Sequence, residues 1–297
     1  MRAAMILCAG LGTRLRPLTE WAAKPMVPIG DAPAVGHIAA QLRRAGVERL
    51  VVNVHHRPAE LRAWAEREGV LVSEEPDLLG TAGGVTHAEA LLGLGDVLVW
   101  NGDILADLDV RALFDAHPSA RGIERNAATL AVVPRASGEG NVGLSADGRI
   151  VRLRRESFGI ETSSADFIGV HVLGAELRSN LPRRGCLVGD VYIPALRSGA
   201  RLAAHVVGGS FVDVGSIAQY VEANRAWLAA RGEGAWIAPG AVVAGRVDGS
   251  VIGAGAHVEA DAIRCVVWPG TRVSDRVEDA VVTPHGVVRV APAIVGA

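Results

Sequence analysis

The chain has 297 residues, with 30 lysines and arginines against 32 aspartates and glutamates and a formal net charge of −2. Hydrophobic residues make up 49%, enough to fill a sizeable core, which excludes a disordered chain. No basic stripe points to nucleic acid or a membrane surface, and no apolar run reaches the ~18 residues a membrane span needs.

The chain opens with one arginine and a strand-length apolar run, Ala3–Cys8, which is not the pattern of a signal peptide. Further strands are predicted at Arg49–Val54, Val70–Ser73, Val97–Trp100, Ala128–Val133, Phe167–Val172 and Leu202–Val207. Helices are predicted between them at Ala34–Ala45, Pro58–Glu68, Gly84–Leu92, Val110–His117, Val191–Ser198 and Ile217–Ala230. Runs such as VVNV are apolar throughout rather than alternating, as expected for strands covered on both faces. Strand and helix in alternation predict a doubly wound α/β sheet, and Asp147-Gly148 predicts a hairpin between Val142–Ser145 and Arg149–Leu153. Cys8, Cys186 and Cys265 are few, odd in number and far apart. They fit buried thiols of a reducing cytoplasm better than a disulfide framework or a metal site.

After a small polar break at Arg231-Gly232-Glu233-Gly234 the pattern changes. Ile237, Ile252, Val267 and Val282 stand 15 residues apart, as do Val243, Val258, Val273 and Val288. Gly240, Gly255 and Gly270 keep the same step, and so do Val247, Ala262 and Val277. Shared periodicity of this kind, with leading aliphatics six apart, predicts a hexapeptide-type β-solenoid stacking aliphatics coil on coil. The expected domains are therefore 1–230 and 235–297. Open solenoid ends need cover, from the first domain or from another subunit, and a homo-oligomer is expected.

Chemistry concentrates where strands end. The first strand runs into Gly10-Leu11-Gly12-Thr13, which delivers Arg14, and Lys24 follows ten residues later. Glycines let backbone N–H groups gather around an anion, and two cations beside them suit a triphosphate. The loop is neither a Walker A motif nor a full dinucleotide fingerprint. Asp103, in Trp100-Asn101-Gly102-Asp103, and Asp213, in Phe211-Val212-Asp213-Val214-Gly215, each end an apolar run in an acid. Such carboxylates suit Mg2+, which combines one or two of them with phosphate oxygens. Phosphoryl or nucleotidyl transfer is the chemistry these groups predict. No Ser-His-Asp or Cys-His pattern is present, and the adjacent His55 and His56 read as structural rather than metal-binding.

GLGTRLRPLT, AKPMVPIG, LLGTAGG, WNGD and FVDVG, in this order, resemble the sugar-1-phosphate nucleotidyltransferases. The repeats resemble the tail of their mannose-1-phosphate guanylyltransferase-like members. The resemblance implies a Rossmann-like mixed sheet followed by a short left-handed β-helix. It also implies a reaction in which a sugar 1-phosphate and a nucleoside triphosphate give a nucleotide-sugar and pyrophosphate. It assigns Ala9, Gly10, Gly12 and Thr13 to the nucleotide and its phosphates, and Arg14 to the departing pyrophosphate. Lys24 falls to the reacting centre, and Asp103 and Asp213 to Mg2+. Gly80 and Thr81 are assigned to the base, with Glu75 at its edge, where a carboxylate would accept from guanine N1 and N2. On this basis GTP and mannose 1-phosphate are expected. The alternatives are a uridylyl- or thymidylyltransferase, a heptose-phosphate guanylyltransferase, and a non-catalytic nucleotide-sugar-binding regulator.

Asn141, Gly143 and Glu156 are the candidates for the sugar. The family's Glu-Lys-Pro lysine is missing from Arg154-Arg155-Glu156-Ser157, where Arg154 or Arg155 could substitute only if the register shifts. Ala23 replaces a usual proline, a change expected to loosen Lys24. An acyltransferase role for the solenoid is not expected, since His257 and His285 read as coil-surface residues.

Overall fold

The structure is a computed structural model that describes residues 2–117 and 125–290. The last seven residues of the expected solenoid range, 291–297, lie outside the described residues. The chain divides into two compact units that do not follow chain order: residues 1–10 with 38–211, and residues 11–37 with 212–297.

The first unit is built on a ten-stranded mixed sheet. Its strands are β1 (Arg2–Leu7), β2 (Val47–Val54), β3 (Leu71–Glu74), β4 (Val97–Asn101), β5 (Ala128–Arg135), β6 (Val142–Leu144), β7 (Ile150–Leu153), β8 (Glu156–Ser157), β9 (Ser163–Leu173) and β10 (Leu202–Val206). The main path runs β8-β7-β6-β9-β4-β1-β2-β3, with β5 pairing β9 and β10. β1 is parallel to both β2 and β4, so Met5 pairs with Val51 on one side and Val99 on the other. Met5, Val51 and Val99 are fully buried, as the unbroken apolar runs require. The chain moves outward from β1 through β2 and β3, then returns to β4 on the opposite side of β1. That reversal is a topological switch point, and it opens a crevice at the carboxyl ends of β1 and β4.

Helix α1 (Ala34–Arg44) and helix α2 (Pro58–Arg67) match their expected spans to within a residue or two. In α2, Pro58 occupies the first turn, and Leu61, Trp64 and Ala65 are buried at the spacing of one helix face. The expected helix Gly84–Leu92 is instead two, α3 (Gly80–His87) and α4 (Glu89–Leu92), meeting at Ala88. The expected Val191–Ser198 begins as a turn of π-helix, Leu187–Tyr192, that continues into α5 (Ile193–Arg197). Strand β9 is longer than expected because it begins at Ser163, and its first residues pair with both β5 and β6. Gly169, at φ 79°, marks the shift in its pairing with β5 between Phe167 and His171. The hairpin at Asp147-Gly148 joins β6 and β7 antiparallel.

The second unit contains residues 11–37, helix α6 (Ile217–Arg231) and the solenoid. Ser216 caps α6, its hydroxyl accepting from Gln219 N–H, and Gly232 at φ 67° ends it. Three parallel ladders then form the faces of a short β-helix. Trp236, Val251, Val266 and Val281 follow one another on one face. Val242, His257 and Arg272 define the second, and Val247, Ala262 and Val277 the third. Ile252, Val258, Ala262, Val267, Val273 and Val282 point into its core.

Gly240, Gly255 and Gly270, at φ 80°, 67° and 68°, turn successive coils at the same corner, where a side chain would be strained. Val288 keeps the repeat spacing but not the coil. It lies in Gly286–Arg289, which folds back antiparallel on Ala280–Thr283 and pairs Val288 with Val281. The turn at Thr283-Pro284-His285-Gly286 explains the departure: Thr283 Oγ1 accepts from His285 N–H at 3.2 Å and donates to Gly286 O at 3.1 Å.

Candidate functional site

In the first unit, β1 delivers Cys8, Ala9 and Gly10 to the crevice. Ala9 is buried and Gly10 exposed, and a Cβ on Gly10 would meet nothing within 4 Å. That open backbone is what a ligand needs for close approach. β4 delivers Asn101, Gly102 and Asp103 beside it, with Gly102 N–H bonded to Leu7 O at 2.9 Å. A Cβ at Gly102 would meet Leu7 O at 2.7 Å and Cys8 Sγ at 3.0 Å, so this close packing of the two strand ends requires glycine. Burial, with the Asp103 charge as second cause, pushes the Cys8 thiol well above its ordinary pKa.

The base-side residues are tied to the strand ends through a buried amide that sequence reasoning missed. Asn53, 3% exposed, accepts from Cys8 N–H and donates to Glu75 Oε1, both at 2.6 Å. Glu75, also 3% exposed, accepts from Leu79 N–H at 3.1 Å through its other oxygen. Both carboxylate oxygens of Glu75 are therefore committed within the protein. Gly84 makes room for the pair, since a Cβ there would sit 2.7 Å from Glu75 Oε1. The sequence signal was available: Asn53 is the polar residue inside the otherwise apolar VVNV.

Gly80, at φ 76°, and Thr81 open α3 against the segment before the π-helix. Gly185 N–H donates to Leu79 O at 2.9 Å, and Thr81 Oγ1 accepts from Leu187 N–H at 2.7 Å. His55 Nδ1 lies 3.0 Å from Glu75 O, a main-chain tether.

The sugar candidates lie together in the β6–β8 region, though each is already occupied. Asn141 Oδ1 accepts from Phe167 N–H at 2.9 Å. Gly143 lies beside the pair Arg152–Glu161, at 2.7 Å, in which the Arg152 and Ser164 hydrogen bonds hold the Glu161 carboxyl down at about 2. Glu156 accepts twice from Arg197, at 2.7 and 3.0 Å. Arg154, at φ 56°, has no ion pair among the described residues. It reaches Cys186 Sγ at 3.6 Å and lies against Gly189. Burial raises the Cys186 pKa, but bonds from Gly189 and Val188 N–H, the Thr81 hydroxyl and the Arg154 charge outweigh it and leave the thiol below its ordinary range.

In the second unit the structure brings Gly12, Arg14, Lys24 and Asp213 together. Gly12, at φ 61°, starts a 3-10 turn, Thr13–Leu15, in which Thr13 and Arg14 are exposed. Its carbonyl accepts from Leu15 N–H at 3.0 Å and Thr19 Oγ1 at 2.9 Å. A Cβ at Gly12 would lie 2.8 Å from Thr19 Cγ2 and 3.0 Å from Lys24 Cβ, so the Lys24 stem runs along the bare Cα of Gly12. Lys24 begins its own 3-10 turn, Lys24–Met26. Ala23 stands at φ −58°, ψ 141°, a conformation proline also adopts, so the turn keeps its shape without the ring. Arg14 Nη2 is 3.8 Å from Asp213 Oδ2. Both groups flank Gly215, where a Cβ would meet Arg14 Nη1 and Asp213 Oδ1 at 3.0 Å each.

Among the described residues no cluster of three or more His, Cys, Asp or Glu is placed to hold a metal. Single carboxylates such as Asp103 and Asp213 fit a hard cation that draws its other ligands from phosphate and water. Among the described residues no helix is long and apolar enough to cross a membrane.

Mannose-1-phosphate guanylyltransferase of Mycobacterium tuberculosis is 29% identical over 302 residues, spanning 92% of this chain and 79% of that protein. N-acetylmuramate alpha-1-phosphate uridylyltransferase of Caulobacter vibrioides is 35% identical over 193 residues, spanning 60% of this chain and 78% of that protein. HddC of Yersinia pseudotuberculosis, solved in complex with GMP-PN, superposes with a TM-score of 0.63 at 20% identity, over 76% of this chain and all of that one, and so shares the fold. The family model described as Nucleotidyl transferase matches residues 3–156, and the chain belongs to the nucleotidyl transferase family.

Proposed function

We propose that this chain condenses a sugar 1-phosphate with a nucleoside triphosphate, releasing pyrophosphate. The observation that carries the reading is the packing at Gly12: a glycine with no room for a side chain has Lys24 laid along it and Arg14 two residues away. Two fixed cations at a turn of this kind meet the chief difficulty of the reaction, which is bringing two polyanions together. An oxygen of the sugar phosphate attacks the α-phosphorus, the bond to the bridging oxygen breaks, and pyrophosphate departs with the electron pair. The attacking oxygen is already anionic at pH 7, so no general base is needed. Arg14 neutralises the departing pyrophosphate through its fork of donors, and Lys24 acts as a point charge on the phosphate oxygens at the reacting centre. Asp103 and Asp213 are the carboxylates proposed for Mg2+, which when bound supplies further charge neutralisation.

GTP with mannose 1-phosphate is the first substrate pair proposed, supported by relatives that span nine-tenths of the chain. A second reading, UTP with an amino-sugar phosphate, has its own support. Each oxygen of Glu75 already accepts one bond, from Asn53 or Leu79, which favours a base with fewer donors to satisfy than guanine, and the Caulobacter uridylyltransferase has the higher identity. Arg154 is proposed as the cation for the sugar phosphate, because Arg152 and Arg197 are already neutralised by Glu161 and Glu156. The proposal includes a homo-oligomer, whose mass light scattering reads directly, working in the cytoplasm. The deciding experiment is pyrophosphate release from GTP, UTP, dTTP and ATP, each with a panel of sugar 1-phosphates and Mg2+. Release with none of them removes the transferase reading, and preference for UTP removes the guanine assignment.

A further inference from the structure

Residues 11–37, which carry both cations, belong to the same compact unit as the solenoid. One contact joins them directly, and a second runs through helix α6, which carries Tyr220, Asn224 and Trp227 and is tied to the solenoid at Trp268. The two lie on either side of Lys24 along the chain. On the near side, the imidazole of His285 stacks on Trp21, with ring centroids 5.0 Å apart and planes 24° apart. Trp21 ends the helical turn Leu18–Trp21, whose Thr19 holds the Gly12 carbonyl. His285 in turn is fixed by Thr283 at the tip of the closing hairpin.

On the far side, Tyr220 OH donates to Pro28 O at 2.8 Å and accepts from Trp268 Nε1 at 3.0 Å. Asn224 Oδ1 accepts from Gly30 N–H at 2.9 Å, and Trp227 packs where a Gly30 side chain would be. Tyr220 and Asn224 are fully buried and Trp268 nearly so, whereas His285 is exposed. A buried anchor at Pro28–Gly30 and an exposed stack at Trp21 thus bracket the turn that presents Lys24.

We propose that His285 and Tyr220 are positioning residues for Lys24, so that the solenoid serves as the platform on which the phosphate-binding turn is set. The inference rests on the phosphate role proposed above for Lys24. It assigns the closing hairpin a task in substrate binding that coil stacking alone does not require. A ring stacked on Trp21 limits the motion of the Leu18–Trp21 turn, and through it the Gly12 carbonyl and the Lys24 stem. Removing the ring leaves the hairpin intact but frees that turn.

The test uses the full-length chain and inorganic pyrophosphate as the probe, titrated calorimetrically, because that binding does not depend on which sugar or base is correct. Two linked phosphates offer oxygens to Lys24 as well as to Arg14, a premise checked by Lys24→Ala also weakening the binding. His285→Ala is expected to weaken pyrophosphate binding about fivefold, roughly 1 kcal/mol at 1.4 kcal/mol per tenfold. His285→Phe, which keeps a ring on Trp21, is expected to stay within about twofold of the original chain. Tyr220→Phe keeps the buried volume and loses both hydrogen bonds, and it too is expected to weaken pyrophosphate binding about fivefold. A His285→Ala affinity equal to the original, a loss that phenylalanine does not restore, or an unchanged Tyr220→Phe would each overturn the proposal. A chain that binds pyrophosphate with the expected pattern but turns over no sugar 1-phosphate would sink the reaction assignment and leave the platform standing. A chain that binds no pyrophosphate would sink both.

Discussion

Asn53 offers the sharpest test of how the crevice is held. Replacing it with alanine removes the bond to Cys8 N–H and the bond to Glu75, each 2.6 Å long and each buried. An unmet buried donor costs about 1–3 kcal/mol, and a lost bond to a carboxylate about 1.5–3 kcal/mol. Asn53→Ala is therefore expected to destabilise the protein by about 2.5–6 kcal/mol, a large share of the roughly 5–15 kcal/mol typical of folded domains. Urea unfolding followed by tryptophan fluorescence measures the loss, with Trp64 and Trp100 buried in the same unit as reporters. Glu75→Ala removes the opposite end of the shared bond. The double variant is then expected to be less damaging than the two single losses summed, by about 1.5–3 kcal/mol. Losses that add to within about 0.5 kcal/mol, or a cost for Asn53→Ala below about 1 kcal/mol, would refute the claim that this amide joins the strand end to the base-side loop.

Gly12→Ala is expected to cost about 1–2 kcal/mol for its left-handed backbone and to weaken triphosphate binding, because its methyl group would displace Thr19 and Lys24; thermal unfolding and titration with GTP and UTP read the two effects. Asp103→Ala and Lys24→Ala are each expected to lower turnover by about 10²-fold or more while the far-ultraviolet circular dichroism is unchanged. Arg154→Ala is expected to raise KM for the sugar 1-phosphate about tenfold and leave KM for the triphosphate within twofold, a steady-state measurement with each substrate varied. His171, fully buried between Phe167 and Tyr192, has its pKa lowered by burial to about 3. The unfolded chain therefore binds the proton first, and stability present above about pH 6.5 is lost as pH falls toward 3, by at most about 1.4 kcal/mol per pH unit. Unfolding midpoints between pH 4 and 7 should show that slope, and His171→Phe should flatten it.

What the sequence disclosed follows from how local the underlying physics is. Strands β1, β2 and β4 were legible because residues such as Val51, Val52 and Val99 form unbroken apolar runs that only a two-sided sheet would bury. The solenoid was legible because its 15-residue register repeats in aliphatics and corner glycines alike. The π-helix at Leu187–Tyr192 was not legible, since Gly185 and Gly189 read as loop and the turn is held by Thr81, more than a hundred residues earlier. The start of α3 was hidden in the same way: GTAGG looks like a loop until Gly185 and Glu75 are seen to fix it. The candidate cations and acids were read from motif and spacing. The commitments of Glu75 to Asn53 and Glu156 to Arg197 depend on tertiary packing that no spacing reveals.

The fold-back of Gly286–Arg289 bears on whether the solenoid can be continued by another chain. A parallel ladder with a bare final rung invites another chain to continue it, and repetition of that event would build a fibre. Here the rung at Ala280–Thr283 is met by a strand of reversed polarity. A newcomer extending that face in the solenoid's own direction would run against Gly286–Arg289, so it could not continue the coil's parallel ladder. Continuation of the parallel coil is thereby stopped on that face, whatever partner approaches it.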